Sequence, residues 1–389
     1  MTVSSIKSTA AVSALTLTAL GLLIAIFYAP IWWVSLTAPN YPPEAFPDGV
    51  RIHFHMNGVF NGCARVEKSE IAEEEALDCV HEMDTINHYV GMYPIASGGA
   101  IERALSPFLM SMLAVMIIGF AVSNAKWRVW LMGLGFAGVS AWMLATLFTA
   151  DGLRYQSQGY LSALVTALDQ DAKAEGAGKT QSAGSSLVAR LRAELEKSGI
   201  EIKGATPEPA KVLSAKDSYI EQLRVNFQKD QEHPGADHQA WTGGGAQMLL
   251  WHYGKSLGRY FNDPAQIRPM VRTLKLVFYV VVAGILGAMV LLLWGARRNG
   301  GLLYWLTVLV PLLLPVFFVI EYSGWLWWYG HHLNEMGAFT VKPFMPTVFG
   351  QGKVAQFATH SYPYTGFFLM LALSVVLAAL ALIRRRQWR

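Results

Sequence analysis

Between Cys79 and Met92 the chain reads CVHEMDTINHYVGM, which gathers one cysteine, two histidines, two methionines, a glutamate and an aspartate into fourteen residues. Imidazole, thioether and carboxylate are all metal donors. Histidine with methionine favours copper, because a soft thioether sulfur selects Cu(I). The run Glu73–Met92 reads as one helix or two short ones, ending near Gly91 and Pro94. Helical spacing puts His81, Asp84, Thr85, His88 and Met92 on one stripe. At about 1.5 Å rise per residue, His81 and His88 stand roughly 10.5 Å apart along the axis, too far to share one ion easily. His88 can pair with Asp84 or Met92, each one turn away, so the motif could supply one or two ligands to a metal site that another segment finishes. The competing reading is a packing helix whose polar groups cap neighbouring loops.

The late segment WLWWYGHHLNEMGAF offers the complementary donors His331, His332 and Met336, the last two one helical turn apart. His88, Met92, His331, His332 and Met336 are therefore the expected ligand set, with His53, His55, His81 and His360 as further candidates. His53 and His55 lie in GVRIHFHMNGVF, whose alternation predicts a strand with both rings on one face. That face reads equally as an ordinary solvated one. Cys63 and Cys79 are the only cysteines. In an oxidising compartment, a disulfide closing that loop is the simplest reading, worth about 3 kcal/mol in the chain-entropy model. A thiolate copper site is the alternative, although the flanks carry no CxxC spacing.

These donors need elements to hold them. The chain has 389 residues, 53% of them hydrophobic, and a mean hydropathy of +0.31, which implies membrane spans. Six apolar runs are long enough: Val12–Trp33, Phe108–Val122, Val129–Phe148, Leu276–Leu293, Leu302–Trp325 and Phe367–Ile383. The expected fold class is an all-α membrane protein of about six transmembrane helices, with a small strand-containing first loop and a helical insertion. The first run is too long for a signal-peptide core and reads as an uncleaved anchor. Lys7, Lys126, Arg128, Arg297, Arg298 and Arg384–Arg386 fall on one side, which the positive-inside rule makes cytoplasmic; Arg268, Arg272 and Lys275 fall on the other. The expectation is a bacterial inner-membrane protein with both termini cytoplasmic. Trp32, Trp33, Trp325, Trp327 and Trp328 would form an aromatic belt at the outer face. All ten histidines and both cysteines then lie outside.

The expected divisions are an anchor (1–36), a first outer loop (37–106), a hairpin of spans (107–150), an outer helical domain (151–270), a second hairpin (271–328), a His/Met loop (329–364) and a last span with a basic tail (365–389). Within the helical domain, GYLSALVTALDQDAKAE, SSLVARLRAELEKSG and AKDSYIEQLRVNFQKD read as amphipathic helices. The late outer loop, rich in Pro and Gly, reads as an ordered return to the membrane. Glu321, near the outer end of the fifth span, is an acid inside an apolar run and thus a functional candidate.

Several classes find no support. EGAGKTQS lacks the upstream glycine and preceding strand of a phosphate loop, so no nucleotide partner is expected. No basic stripe interleaved with aromatics points to nucleic acid. There is no GxSxG, HExxH, GxGxxG or CxxCH, and no nucleophile with a base, so no catalytic set is assigned.

Four blocks occur in order: Ala38–Pro42 with Gly49, Ile86–Met92, Tyr329–Leu333 and Pro343–Gly366. Together they resemble small membrane proteins encoded beside the copper-delivery and maturation genes of nitrous-oxide reductase. The cysteine pair and the Asp151–Arg268 insertion lie outside that pattern. The resemblance implies a role around copper sites. The first functional expectation is therefore an accessory protein that handles copper or assists assembly of a copper enzyme on the outer membrane face. The alternative is a non-catalytic subunit of a larger respiratory or oxidative complex, whose outer helical domain docks a partner. Membrane lipid and other membrane or periplasmic proteins are the expected partners. A transporter finds least support, since no internal repeat is visible.

Overall fold

A computed structural model describes residues 3–63, 78–95, 99–175, 214–234, 237–354 and 356–387. The proposed helix at SSLVARLRAELEKSG, the EGAGKTQS run and the stretch 64–77 lie outside them. Five helices are long and apolar enough to cross a membrane, six if a bent pair counts as one span. They are α1 (Val3–Tyr28), α3 (Ala100–Ala121), α4 (Ala125–Phe148), α8 (Pro264–Gly295) and α11 (Thr365–Gln387), with the bent pair α9 (Leu302–Leu312) and α10 (Leu314–His331). The shorter helices are α2 (Cys79–Tyr89), α5 (Gln158–Glu175), α6 (Ala215–Gln231) and α7 (Gly245–Tyr260). This is a mostly helical multi-pass pattern carrying a small antiparallel sheet.

Two expected spans differ in physically telling ways. The first stops at Tyr28 instead of reaching Trp33, because Pro30 has no N–H to continue the helix. Trp32 then opens a strand and is 4% exposed, so it belongs to a core and not to a lipid-facing belt. The fifth run is broken at Leu313, and its halves bend by 67°. Pro315, in the first turn of α10, and Pro311 remove backbone donors on either side of the break.

Five strands form one sheet in the order β3-β2-β1-β5-β4. They are β1 (Trp32–Thr37), β2 (Val50–His55), β3 (Gly58–Asn61), β4 (Gly350–Val354) and β5 (Phe357–Pro363). The sheet corrects the reading of the late segment as a loop alone: β5 pairs antiparallel with β1, matching Trp33 to Tyr362 and Ser35 to His360. The two segments expected as first and last outer loops thus form one head. It is zipped to the helices where α1 ends and α11 begins, since Tyr364 N–H donates to Ile31 O (2.8 Å) and Gly366 N–H to Pro30 O (2.7 Å). A Cβ on Gly366 would lie 2.8 Å from Pro30 O, so the junction requires glycine. Beneath the head, Ala19, Leu23, Ile26, Phe120, Tyr304 and Leu373 belong to one apolar core among the spans.

The chain divides into two compact units, Thr146–Gln247 and the remainder. In the smaller, α5 packs on α6, with Leu161, Leu223 and Phe227 buried and Phe227 against Trp241 at 5.5 Å.

Candidate functional site

The motif helix α2 is shorter than its sequence suggests. Asp78 caps it, accepting from the N–H groups of Val80 and His81 at 3.1 Å. The Cys63–Cys79 disulfide, with Cα atoms 6.0 Å apart, ties its first turn to the sheet. Tyr41, from the Ala38–Pro42 block, donates to Glu82 Oε2 at 3.1 Å. Burial first, and the Glu82 carboxylate second, push the Tyr41 phenol above its usual range.

The helix ends in a lock with the late segment. Gly91 has φ +80°, and a Cβ there would sit 2.7 Å from Asn334 O. Asn334 N–H donates to Gly91 O at 2.7 Å, and Phe339 N–H to Tyr89 O at 3.0 Å. The Asn334 amide, 6% exposed, donates to Tyr93 Oη (3.1 Å) and Gln266 Oε1 (3.0 Å). Tyr93 O–H closes the triangle onto Gln266 Oε1 at 2.8 Å. Gly91 of the Ile86–Met92 block and Asn334, one residue past the Tyr329–Leu333 block, are therefore spent on joining the two segments.

The join roofs an open-mouthed, mostly apolar cleft. Strand alternation supplies one wall: Val34 and Leu36 of β1, Ile52 and Phe54 of β2, and Phe357 and Thr359 of β5 all point inward. The motif helix supplies another through Met83, Ile86 and Asn87, continued by Val90 and Met92. Tyr322 and Leu326 of α10 and the return segment Phe344–Thr347 complete it. Among the described residues no Asp, Glu, Lys, Arg or His lines the cleft. Its polar groups are few. Tyr322 Oη lies 3.3 Å from Ser361 Oγ, which also accepts from Trp32 Nε1 at 2.8 Å. Asn87 differs: it is 6% exposed, and its Nδ2 is shielded from water with no hydrogen-bond partner.

The expected donors are distributed as follows. His88 is packed against Phe261 (4.7 Å between ring centres) and Tyr260 (5.9 Å), and burial lowers its pKa. His81 Nδ1 lies 3.3 Å from Tyr260 Oη. Met92 is 4% exposed within an apolar cluster that includes Val90 and Tyr329, whereas Met336 is 54% exposed. His331 and His332 hold the carbonyls of Trp327 and Trp328 through Nδ1 at 2.8 and 2.9 Å, and each ring stacks on that tryptophan. His53, His55 and His360 share the sheet face opposite the cleft. There His53 stacks on Tyr364, and Arg51 lies 4.3 Å over Trp33. Among the described residues no three His, Cys, Asp or Glu side chains gather as a metal-holding group. His88, His331 and His332 are accordingly not brought together as a three-imidazole centre. His331 and His332 are both exposed, with their Nδ1 atoms anchored on carbonyls.

Sequence reasoning missed Asn87, Asn334 and Gln266. The first lies inside the Ile86–Met92 block and the second one residue past the Tyr329–Leu333 block, each beside histidine and methionine; Gln266 carries no local signal. Glu321, the candidate acid, stands beside the Glu102 carboxyl, and Glu102 Oε1 accepts from Trp325 Nε1 at 3.1 Å. No protein-family model, no curated protein and no solved structure matches the chain.

Proposed function

We propose that this is an integral-membrane accessory protein whose head is a binding module, and that the cleft between motif helix and sheet is where it binds. One observation carries the reading. Residues of the Ile86–Met92 and Pro343–Gly366 blocks line, with the sheet, a cleft in which no described side chain is charged, and the adjoining amides of Asn334 and Gln266 are used in the lock. The basic ends Lys126–Arg128, Arg297–Arg298 and Arg384–Arg386 support an orientation with the head on the outer face of a bacterial cytoplasmic membrane. The protein would then hold an apolar group for an exported or membrane-bound partner. Native mass spectrometry in mild detergent tests this. The expected result is a bound apolar molecule in wild type that is lost in Leu326→Trp, which fills the cleft. An empty wild-type chain, or retention unaffected by Leu326→Trp, would sink the reading.

Copper handling is a second reading, favoured by His331 and His332. A metal-ligating histidine usually fixes its other nitrogen on a carbonyl, as both rings do here. Elemental analysis of the purified protein tests it. Copper near one per chain that falls in His332→Ala would support a ligand role, and wild type free of bound copper after loading would end it.

A further inference from the structure

We infer that the cleft takes an ester-linked acyl chain of a membrane lipid, with the ester carbonyl oxygen accepting from Asn87 Nδ2; this rests on the cleft being the binding site. Asn87 is 94% buried, yet its amide nitrogen has no partner. A buried donor left unpaired costs about 1–3 kcal/mol, which an acceptor brought by a ligand would recover. The nearby hydroxyl of Tyr322 is engaged with Ser361. The missing group is therefore an acceptor atom.

The walls narrow its chemistry. With no cationic side chain in the lining, a carboxylate or phosphate would lose its hydration uncompensated, so the acceptor is neutral. Met83, Ile86, Leu36, Ile52 and Phe54 line the same cleft as Asn87 with hydrocarbon, which suits an alkyl chain and offers an isolated water too few partners. The floor residues Tyr322 and Leu326 lie on α10, half of a bent span, and the β1 wall starts four residues after α1 ends. The site stands where the spans end, so the surrounding bilayer is the source of the chain. Its charged headgroup stays outside the lining.

The test compares ester-linked phospholipid with its ether-linked counterpart, which keeps the chain and lacks the carbonyl. Wild-type protein in nanodiscs of each lipid is transferred to mild detergent, and retained lipid is measured by native mass spectrometry. Wild type should retain the ester lipid roughly tenfold better than the ether lipid, the ratio worth one hydrogen bond. Asn87→Leu should remove that preference, and Leu326→Trp should retain neither lipid. Equal retention of ester and ether by wild type overturns the carbonyl assignment while leaving an apolar cleft. Retention of neither lipid by wild type, or retention by Leu326→Trp as strong as wild type, overturns the cleft reading itself. A retained molecule that is not a lipid overturns the assignment to bilayer chains. The lipid pair is read on the unmutated chain, so the outcome does not depend on how Asn87→Leu folds.

Discussion

The two ends of the helix bundle join distant parts of the chain by opposite means. At the far end from the sheet, Arg128 is fully buried and acts as a charged clasp. Its Nε donates to Ala296 O at 2.8 Å, Nη2 to Asn299 Oδ1 at 2.7 Å and Nη1 to Val122 O at 3.3 Å, while its guanidinium lies 4.5 Å over Tyr304. Arg384 beside it bonds Ser123 and Gln387 through Nη1, and its buried Nε has no partner. At the head end the join is uncharged, made by a glycine contact, an amide triangle and a sheet. The far end devotes its buried polar side chains to holding helices together. The head keeps Asn87 Nδ2 buried and without a partner beside a cleft, so the two ends differ in that one is joined by charged contacts and the other by uncharged ones.

Breaking the head should have the largest effect. Gly91→Val places a branched side chain at φ +80° and 2.7 Å from Asn334 O, combining backbone strain with overpacking. The expected loss is about 4 kcal/mol, read as a collapse of the thermal melt in detergent. A melt close to wild type would mean that the lock is not the joint between the two outer segments. Breaking the far end comes next. Arg128→Met leaves the carbonyls of Ala296 and Val122 and the Asn299 amide without their donor, for a loss on the order of 3 kcal/mol. The head should stay folded, so the Cys63–Cys79 disulfide should stay as slow to reduce as in wild type.

The two asparagines sharpen the comparison, because both are 6% exposed and differ only in satisfaction. Asn334→Leu strands Tyr93 and Gln266 and should cost about 2 kcal/mol. Asn87→Leu removes an orphaned donor and should leave the lipid-free protein unchanged or more stable by about 1 kcal/mol. Equal destabilisation by both would show that Asn87 is a structural amide.

Much of this was legible in the sequence, and the reasons it stopped are physical. Apolar runs expose spans directly, and the alternation around Arg51–His55 exposes β2, because both are local periodicities. The strand at Phe357–Pro363 carries no such local signal, since its pairing to β1 spans more than three hundred residues of chain. The break at Leu313 depends on how Pro311 and Pro315 share one bend. At the site, Cys63–Cys79 and the importance of Ile86–Met92 could be read, but their role could not. Histidine and methionine announce chemistry by type alone, whereas an asparagine becomes informative only once its partners can be counted. Gly91 and Gly366 look like loop residues until the carbonyl that each one admits is known.

The smallest effect concerns pH and the opposite face of the same sheet. Burial, with the neighbouring His53 second, lowers the His55 pKa from 6.5 to about 4. Around that ring stand His53 and Arg51 on its own strand, Phe60 at 4.7 Å on β3, and the Tyr28 backbone, to which it hydrogen-bonds. His53 is itself lowered, by burial and then by Arg51. The folded state thus favours neutral rings, while the unfolded chain takes up protons near pH 6.5. Their contribution to stability is complete above pH 6.5 and is lost as the pH falls toward 4. Half-exposed rings are screened by water, so the slope should be shallow. His55→Asn should flatten the dependence of the melting temperature on pH between 6.5 and 4, leaving the melt at pH 8 close to wild type. A mutant that keeps the wild-type slope would place the titrating groups elsewhere. The head's pH sensitivity would then have nothing to do with the face that turns away from the cleft.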